Sequence, residues 1–274
     1  MGDPVYALGH SEPELERLSA QARLIGPTTR QFFREAGIGV GMRILDVGSG
    51  AGHTAFLAAD LVGESGEVIG ADRVAAAIVA ATKGAEARGL RKVSFREGDP
   101  TEMVFDRPFD AVVGRYVLLF QVDPAAMVRK LARHLRPGGT IVFHEPEWDY
   151  TRSVPPAPTY DRCRQWFAET LRLSGTPDTG MSVRLHRAFV DAGLPAPSMR
   201  MQTFIGGGAE CMDWLQAFTE LIWSLLPAME QLGVATAADV EATTLTERLR
   251  REVNASGSVI IGRSEIGAWS HVQT

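Results

Sequence analysis

The run Ile44-Leu45-Asp46-Val47-Gly48-Ser49-Gly50-Ala51-Gly52 constrains this chain more than any other segment. A short apolar strand ending in three alternating glycines makes a turn whose backbone can approach a ligand closely. The helix that follows aims free N–H groups at an anionic group. Around this turn the pattern alternates. Residues 43–47, 67–71, 92–96, 109–114 and 140–144 read as strands. Helices are read at 53–61, 74–88 and from the Asp123-Pro124 cap to 135, where Pro137-Gly138-Gly139 stops the last. Strands alternating with helices pair in parallel through right-handed crossovers, which gives an open α/β sheet. Such sheets bind ligands at the carboxyl ends of their strands, where the strand order reverses.

The glycines alone do not choose the ligand. A dinucleotide fingerprint begins at Gly48 and Gly50, but its third glycine falls on His53, and no Gly-Lys-Ser/Thr phosphate loop is present. Two acids speak for a nucleoside. Asp72 ends the second strand, where a carboxylate can accept from both ribose hydroxyls. Asp99, in Glu97-Gly98-Asp99-Pro100, follows the third strand and is placed to accept from an adenine amine. Either acid alone is a common turn residue; the two in order are the signal.

Composition bounds the rest. With 45% hydrophobic and 22% charged residues, the chain is ordinary globular material, not disordered or collagenous. A formal net charge of −5 argues against a nucleic-acid or anionic-membrane partner. Cys163 and Cys211 sit in no Cys-x-x-Cys or Cys/His cluster, so no disulfide framework or zinc site is expected. The first residues lack a signal-peptide pattern, and no apolar run reaches the roughly 18 residues of a membrane span. A soluble, cytoplasmic protein is the expectation.

The flanks are less regular. Ser11-Glu12-Pro13-Glu14 has capping-box spacing and opens a helix that Gly26-Pro27 interrupts, with a second short helix over 28–36. After His144 the alternation fails at Pro146, Pro155, Pro156 and Pro158. Helices are read at 160–173, 182–192, 212–231 and 237–253, with strands at 199–205 and from 258 to 269.

Together Leu45–Gly52, Asp72, Gly98-Asp99, Phe109-Asp110-Ala111-Val112-Val113 and Leu135-Arg136-Pro137-Gly138-Gly139-Thr140 resemble the class I S-adenosylmethionine-dependent methyltransferases. The likeness covers roughly residues 40–150. It is greatest to the branch that includes the ubiquinone and menaquinone biosynthetic enzymes and many secondary-metabolite enzymes. It implies a Rossmann-like, seven-stranded, mostly parallel sheet with an antiparallel last strand. Tyr6-Ala7-Leu8-Gly9-His10-Ser11, with Glu14 and Arg17-Leu18, is similar to the lid segment of some members. The division implied is a helical lid over 1–40, a cofactor-binding core over 41–150, and a C-terminal part over 151–274 with a helical cap and the last two strands.

The resemblance also implies S-adenosylmethionine as cofactor and assigns residues to it. Asp46, Gly48, Ser49, Gly50 and Gly52 surround its methionine portion, with His53 and Thr54 toward the carboxylate and Arg115 beside it. Asp72 with Arg73 takes the ribose side; Gly98, Asp99 and Pro100 take the adenine.

The acceptor is less legible, because displacing a neutral thioether asks mainly for alignment and exclusion of water. A base matters only where the nucleophile carries a proton. Base-amine methylation wants Asn/Asp-Pro-Pro-Tyr/Phe after the fourth strand, and here that place reads Gly114-Arg115-Tyr116-Val117. Tyr116, His144, Glu145 and Trp148 follow strands four and five, so Tyr116, His144 and Glu145 are the candidate catalytic residues, His144 or Glu145 being the base. Glu145, Glu147 and Asp149 cluster where a metal-assisted enzyme would hold its ion, but such a run is more often a solvated loop or substrate contact, and no metal is assigned. Trp166, Phe167, Phe204, Met212, Trp214, Phe218, Trp223 and Met229 are core or pocket. A helix as apolar as 214–226 suggests an enclosed hydrophobic substrate or a homodimer interface. The expected activity is methylation of a small, fairly apolar metabolite on oxygen, carbon or nitrogen. The alternative is cyclisation or decarboxylation in the same fold.

Overall fold

In the computed structural model, residues 12–176 and 180–273 are described. In chain order the elements are α1 (Glu12–Glu35), β1 (Arg43–Val47), α2 (His53–Val62), β2 (Glu67–Asp72), α3 (Ala75–Ala87), β3 (Val93–Glu97), β4 (Phe109–Arg115) and α4 (Pro124–Ala132). There follow β5 (Leu135–Glu147), β6 (Arg152–Val154), α5 (Pro158–Leu173), α6 (Met181–Asp191), β7 (Ser198–Gly207), α7 (Met212–Gln231), α8 (Ala237–Val240), α9 (Leu245–Ser256) and β8 (Val259–His271). The lid motif at 6–11 lies outside the described residues. Two compact units form. The larger holds Ala22–Glu145, Met181–Met201 and the chain from Glu265; the smaller takes the described residues up to Gln21, Pro146–Gly180 and Gln202–Ser264.

In the larger unit β1 lies between β2 and β4, parallel to both, with Leu45 opposite Ile69 on one side and Val112 on the other. β3 extends the sheet beyond β2, and β5 extends it beyond β4, with Val113 opposite Val142. The chain therefore builds outward from β1 and then returns to its other side, which puts the order reversal between β1 and β4. Val272, just past β8, bonds Gly138 and Gly139 near the start of β5 at 3.2 and 2.9 Å, so the last strand runs antiparallel to β5, as expected.

Both faces of this sheet are covered, as parallel pairing demands. Successive residues point to opposite sides. Leu45, Val112, Ile141 and Phe143 pack with Leu118, Leu131 and Phe189 on one face. Ile44, Ala111, Val113 and Val142 pack with Phe33, Ala55, Ala58 and Val62 on the other.

Several elements differ from the sequence reading. α1 does not break at Gly26-Pro27, since Pro27 lies inside one helix. Proline forfeits one backbone bond there, but burial of Ile25, Phe32 and Phe33 outweighs it. α4 ends at Ala132, and Pro137-Gly138-Gly139 lie inside β5. The helix read over 237–253 is two, divided where Glu241 takes φ 45 after a capping box of Thr236 and Asp239. In the smaller unit an eighth strand, β6, pairs antiparallel with β8 through Ser153 and Ile260. Three residues ahead of two prolines carry too little pattern to be read.

The smaller unit's aromatic residues are its core. Trp148 packs on Phe167 at 4.1 Å, Trp214 stacks on Phe218 at 5.8 Å, and the Trp214 indole donates to the Tyr160 hydroxyl at 3.1 Å. Trp148 is thus a core residue of this unit. Trp223, by contrast, is about half exposed.

Candidate functional site

The glycine turn is built on left-handed backbone. Gly48, Gly50 and Gly52 have φ of 63, 50 and 86°, conformations that cost an L side chain about 1–2 kcal/mol each. A Cβ on Gly48 would lie 2.8 Å from Val117, and one on Gly52 would lie 2.7 Å from Phe56. Among the described residues Gly50 has no neighbour within 4 Å in that direction, so that side is open to them. Asp72 holds the turn in shape. Its two oxygens accept the Gly50 N–H at 2.8 Å and the Val74 N–H at 2.9 Å.

Beneath the turn lies a buried charge problem. Asp46 is fully buried, and neither of its carboxylate oxygens has a hydrogen-bond partner among the described residues; nor has the buried Ser49 hydroxyl. Burial pushes Asp46 up to about 8; the Arg115 guanidinium pulls it down, Asp72 pushes it further up, and the nearby Ala55 N–H, outside hydrogen-bond geometry, pulls it down. His53 and Thr54 open α2 directly after the turn, Thr54 buried and His53 partly so. Gly52 caps that helix without any side-chain bond.

Asp99 is anchored beside β3. One oxygen accepts the Thr101 N–H and hydroxyl, each at 2.8 Å, and the other pairs with Arg73 at 2.6 Å. Burial opposes ionisation, but Thr101 and Arg73 hold the carboxyl below its ordinary range. Gly98 donates its N–H to the Asp72 carbonyl at 2.8 Å, tying the two acidic turns together. Pro100 is buried, and its carbonyl is 2.8 Å from His134 Nε2.

A second cluster forms where β4 and β5 end. Their register sets Arg115 opposite His144, and the Tyr116 N–H donates to the His144 carbonyl at 2.8 Å. Tyr116 has φ 59, a strained conformation for a bulky residue that costs about 1–3 kcal/mol. His144 is fully buried. Its Nδ1 lies 3.0 Å from the Thr29 hydroxyl and its Nε2 lies 2.8 Å from Glu265 Oε2. That same oxygen accepts the Tyr116 phenol at 2.6 Å. Arg115 donates to the Thr29 hydroxyl at 3.4 Å, which links this cluster toward Asp46. Sequence reasoning missed Thr29 and Glu265. Glu265 is the one acid in the last strand, which was the available signal for it; nothing marked Thr29.

Glu145 is bonded to the backbone of the next segment. Its carboxylate is fully buried and accepts three backbone N–H groups, from Val117 and Leu118 at 2.9 and 2.8 Å and Leu119 at 3.2 Å. Burial pushes it up to about 7 against those bonds. It holds the turn after β4. Glu147 is buried too and accepts the Asp149 N–H at 2.9 Å, so Glu145 and Glu147 end the strand while Asp149 lies exposed in the turn that follows. Among the described residues, no three His, Cys, Asp or Glu side chains gather to hold a metal ion. No helix there is long and apolar enough to cross a membrane.

Comparison with known proteins places this geometry. Residues 38–187, more than half the chain, match a family model described as a methyltransferase domain. An aklanonic acid methyltransferase of a Streptomyces species is 34% identical over 142 residues, 48% of this chain and 64% of its own length. A nocamycin O-methyltransferase of Saccharothrix syringae is 34% identical over 139 residues, 50% of this chain and 46% of its own. The chain thus spans less than two thirds of either relative. The YcgJ protein of Bacillus subtilis has the same fold, with a TM-score of 0.59 at 18% identity, over 91% of this chain and 99% of that one. An α/β sheet with its order reversing beside a glycine turn, and a family match spanning that turn, make the chain a member of the class I methyltransferases, whose cofactor is S-adenosylmethionine.

Proposed function

We propose that this chain moves a methyl group from S-adenosylmethionine to an oxygen, carbon or nitrogen of a small, fairly apolar metabolite. One observation carries the reading: the Asp46 carboxylate and the Ser49 hydroxyl are buried without partners among the described residues, beside a glycine turn whose Gly50 side is open. An unpaired buried polar group costs about 1–3 kcal/mol, so a ligand that brings donors and acceptors there is strongly favoured. The amino-acid end of the cofactor brings both, and the residues present fit it.

In this reading Asp46, Gly48, Ser49, Gly50 and Gly52 line the methionine end, with His53 and Thr54 toward its carboxylate and Arg115 beside it. Asp72 receives the ribose hydroxyls. Each of its oxygens already accepts one backbone N–H and keeps capacity for another donor. Gly98, Asp99 and Pro100 receive the adenine, and Arg73 balances the charge of Asp99. When bound, the cofactor supplies a methyl carbon on a sulfonium that departs as a neutral thioether. The chain's own task is then to align the reactants and exclude water. Tyr116 and His144, at the ends of β4 and β5, are the residues read as serving the acceptor. A small-molecule acceptor is supported by relatives named for aklanonic acid and nocamycin, by the net charge of −5, and by Gly114-Arg115-Tyr116-Val117 where a base-amine enzyme has its proline pair.

Calorimetry with S-adenosylhomocysteine tests the cofactor half. Micromolar-range binding is expected, weakened by about 1–3 kcal/mol in Asp72→Ala, which also frees the Gly50 N–H. Unchanged affinity in that variant removes Asp72 from the site. Product mass tests the chemistry: a gain of one methylene unit is expected, and its absence with turnover favours cyclisation or decarboxylation.

A further inference from the structure

Two donors meet on one buried oxygen. Glu265 Oε2 accepts the Tyr116 phenol at 2.6 Å and faces His144 Nε2 at 2.8 Å. A carboxylate oxygen can accept from both, and bonds to a charged acceptor are the short, strong kind. The Thr29 hydroxyl donates to the Ile25 carbonyl at 3.1 Å, so it accepts from His144 Nδ1 at 3.0 Å, and with Glu265 ionised the Nε2 proton is turned toward Glu265. Neither ring nitrogen is left to take a proton from an incoming molecule. Glu145 is engaged likewise, by three backbone N–H groups. The half-buried member of the cluster is Tyr116, whose left-handed backbone at φ 59 sets its phenol against Glu265.

We propose that Glu265 is the proton sink for the methyl acceptor, reached through Tyr116, and that the acceptor presents an oxygen that must lose a proton: a phenol, an enol or an alcohol. This rests on the methyltransferase reading above and narrows its acceptor class. As the acceptor O–H bond breaks, its proton passes to Tyr116 Oη while the Tyr116 proton passes to Glu265 Oε2. The electron pair of the broken bond stays on the acceptor oxygen, which becomes the methylated atom. Glu265 ends neutral, the acceptor gains the charge, and nothing is oxidised or reduced. Tyr116 is the residue that touches the acceptor. Glu265 acts through it, and His144 keeps the carboxyl in place. An amine attacks with its neutral lone pair and needs no such sink before transfer.

The test uses the whole chain, S-adenosylmethionine and two probes of nearly one shape: naphthol, un-ionised at neutral pH, and a nitronaphthol that is already ionised there. Glu265→Gln keeps the shape and removes the sink. Tyr116→Phe cuts the relay at its outer end and leaves the His144–Glu265 bond, should the first variant fold poorly. For naphthol, kcat should fall about a hundredfold or more in both variants, with KM for S-adenosylmethionine unchanged. For the nitronaphthol, both variants should stay within a few-fold of the unsubstituted chain. Equal losses on the two probes, or none on either, overturn the proposal. A readout without turnover is carbon-13 NMR of labelled glutamate in the unliganded protein, assigned by the signal lost in Glu265→Gln. Glu265 should be ionised at neutral pH, and a protonated carboxyl there overturns the proposal. Calorimetry separates the two levels of failure. No binding of S-adenosylhomocysteine sinks the methyltransferase reading itself; intact binding with probe rates indifferent to both substitutions sinks only the role of Glu265.

Discussion

At position 52 a methyl group has nowhere to go. A Cβ there would sit 2.7 Å from Phe56 and 2.9 Å from Phe95, whereas at Gly50 it would meet nothing within 4 Å among the described residues. Both positions carry the left-handed strain. Gly50→Ala should therefore cost only that strain, about 1–2 kcal/mol of stability, while abolishing cofactor binding by filling the open side. Gly52→Ala should cost about 1–3 kcal/mol more through overpacking. Denaturant unfolding paired with calorimetry checks both, and equal unfolding free energies for the two variants would contradict this division of labour. These glycines were legible in the sequence because a turn with φ above zero leaves glycine as its mark. Thr29 and Glu265 were not. They reach His144 across 115 and 121 positions of chain, and no local spacing encodes a contact of that range.

Elements were legible where burial dictates a single period. β1, with all five residues buried, and α7, with its apolar stripe, come out at the limits the sequence suggests. Their ends and breaks were harder, because tertiary packing overrides the usual stop signals. α1 runs through Pro27, and β5 absorbs Pro137-Gly138-Gly139. The break between α8 and α9 has no glycine to announce it. Glu241 takes the left-handed φ of 45 that glycine usually supplies, held in part by an exposed pair with Arg248 at 3.3 Å. Glu241→Gly should relieve more strain than the lost surface pair contributes, raising stability by about 0.5–1 kcal/mol. A thermal or urea midpoint that fell instead would mean that the ion pair sets the break.

For the molecule as a whole, two buried acids set how stability responds to pH. Asp46 rises from 3.8 to about 8 and Glu145 from 4.5 to about 7, both through burial first. Between the ordinary and the raised values the folded chain holds protons that the unfolded chain releases, so stability declines as pH climbs through that window and levels off above it. Asp99 and Asp110 are shifted the opposite way, and their contributions are complete above 3.8, so they do not mask the decline. Urea midpoints should fall from acidic toward mildly alkaline pH, and Asp46→Asn should flatten that slope; an unaltered slope in the variant would show that Asp46 is ionised throughout. The order of synthesis adds a consequence. Every strand that flanks the glycine turn leaves the ribosome before β8 does, so the residues proposed to hold the cofactor are all synthesised before Glu265. His144 must wait for that last strand to slot in beside β5 before its Nε2 meets Glu265.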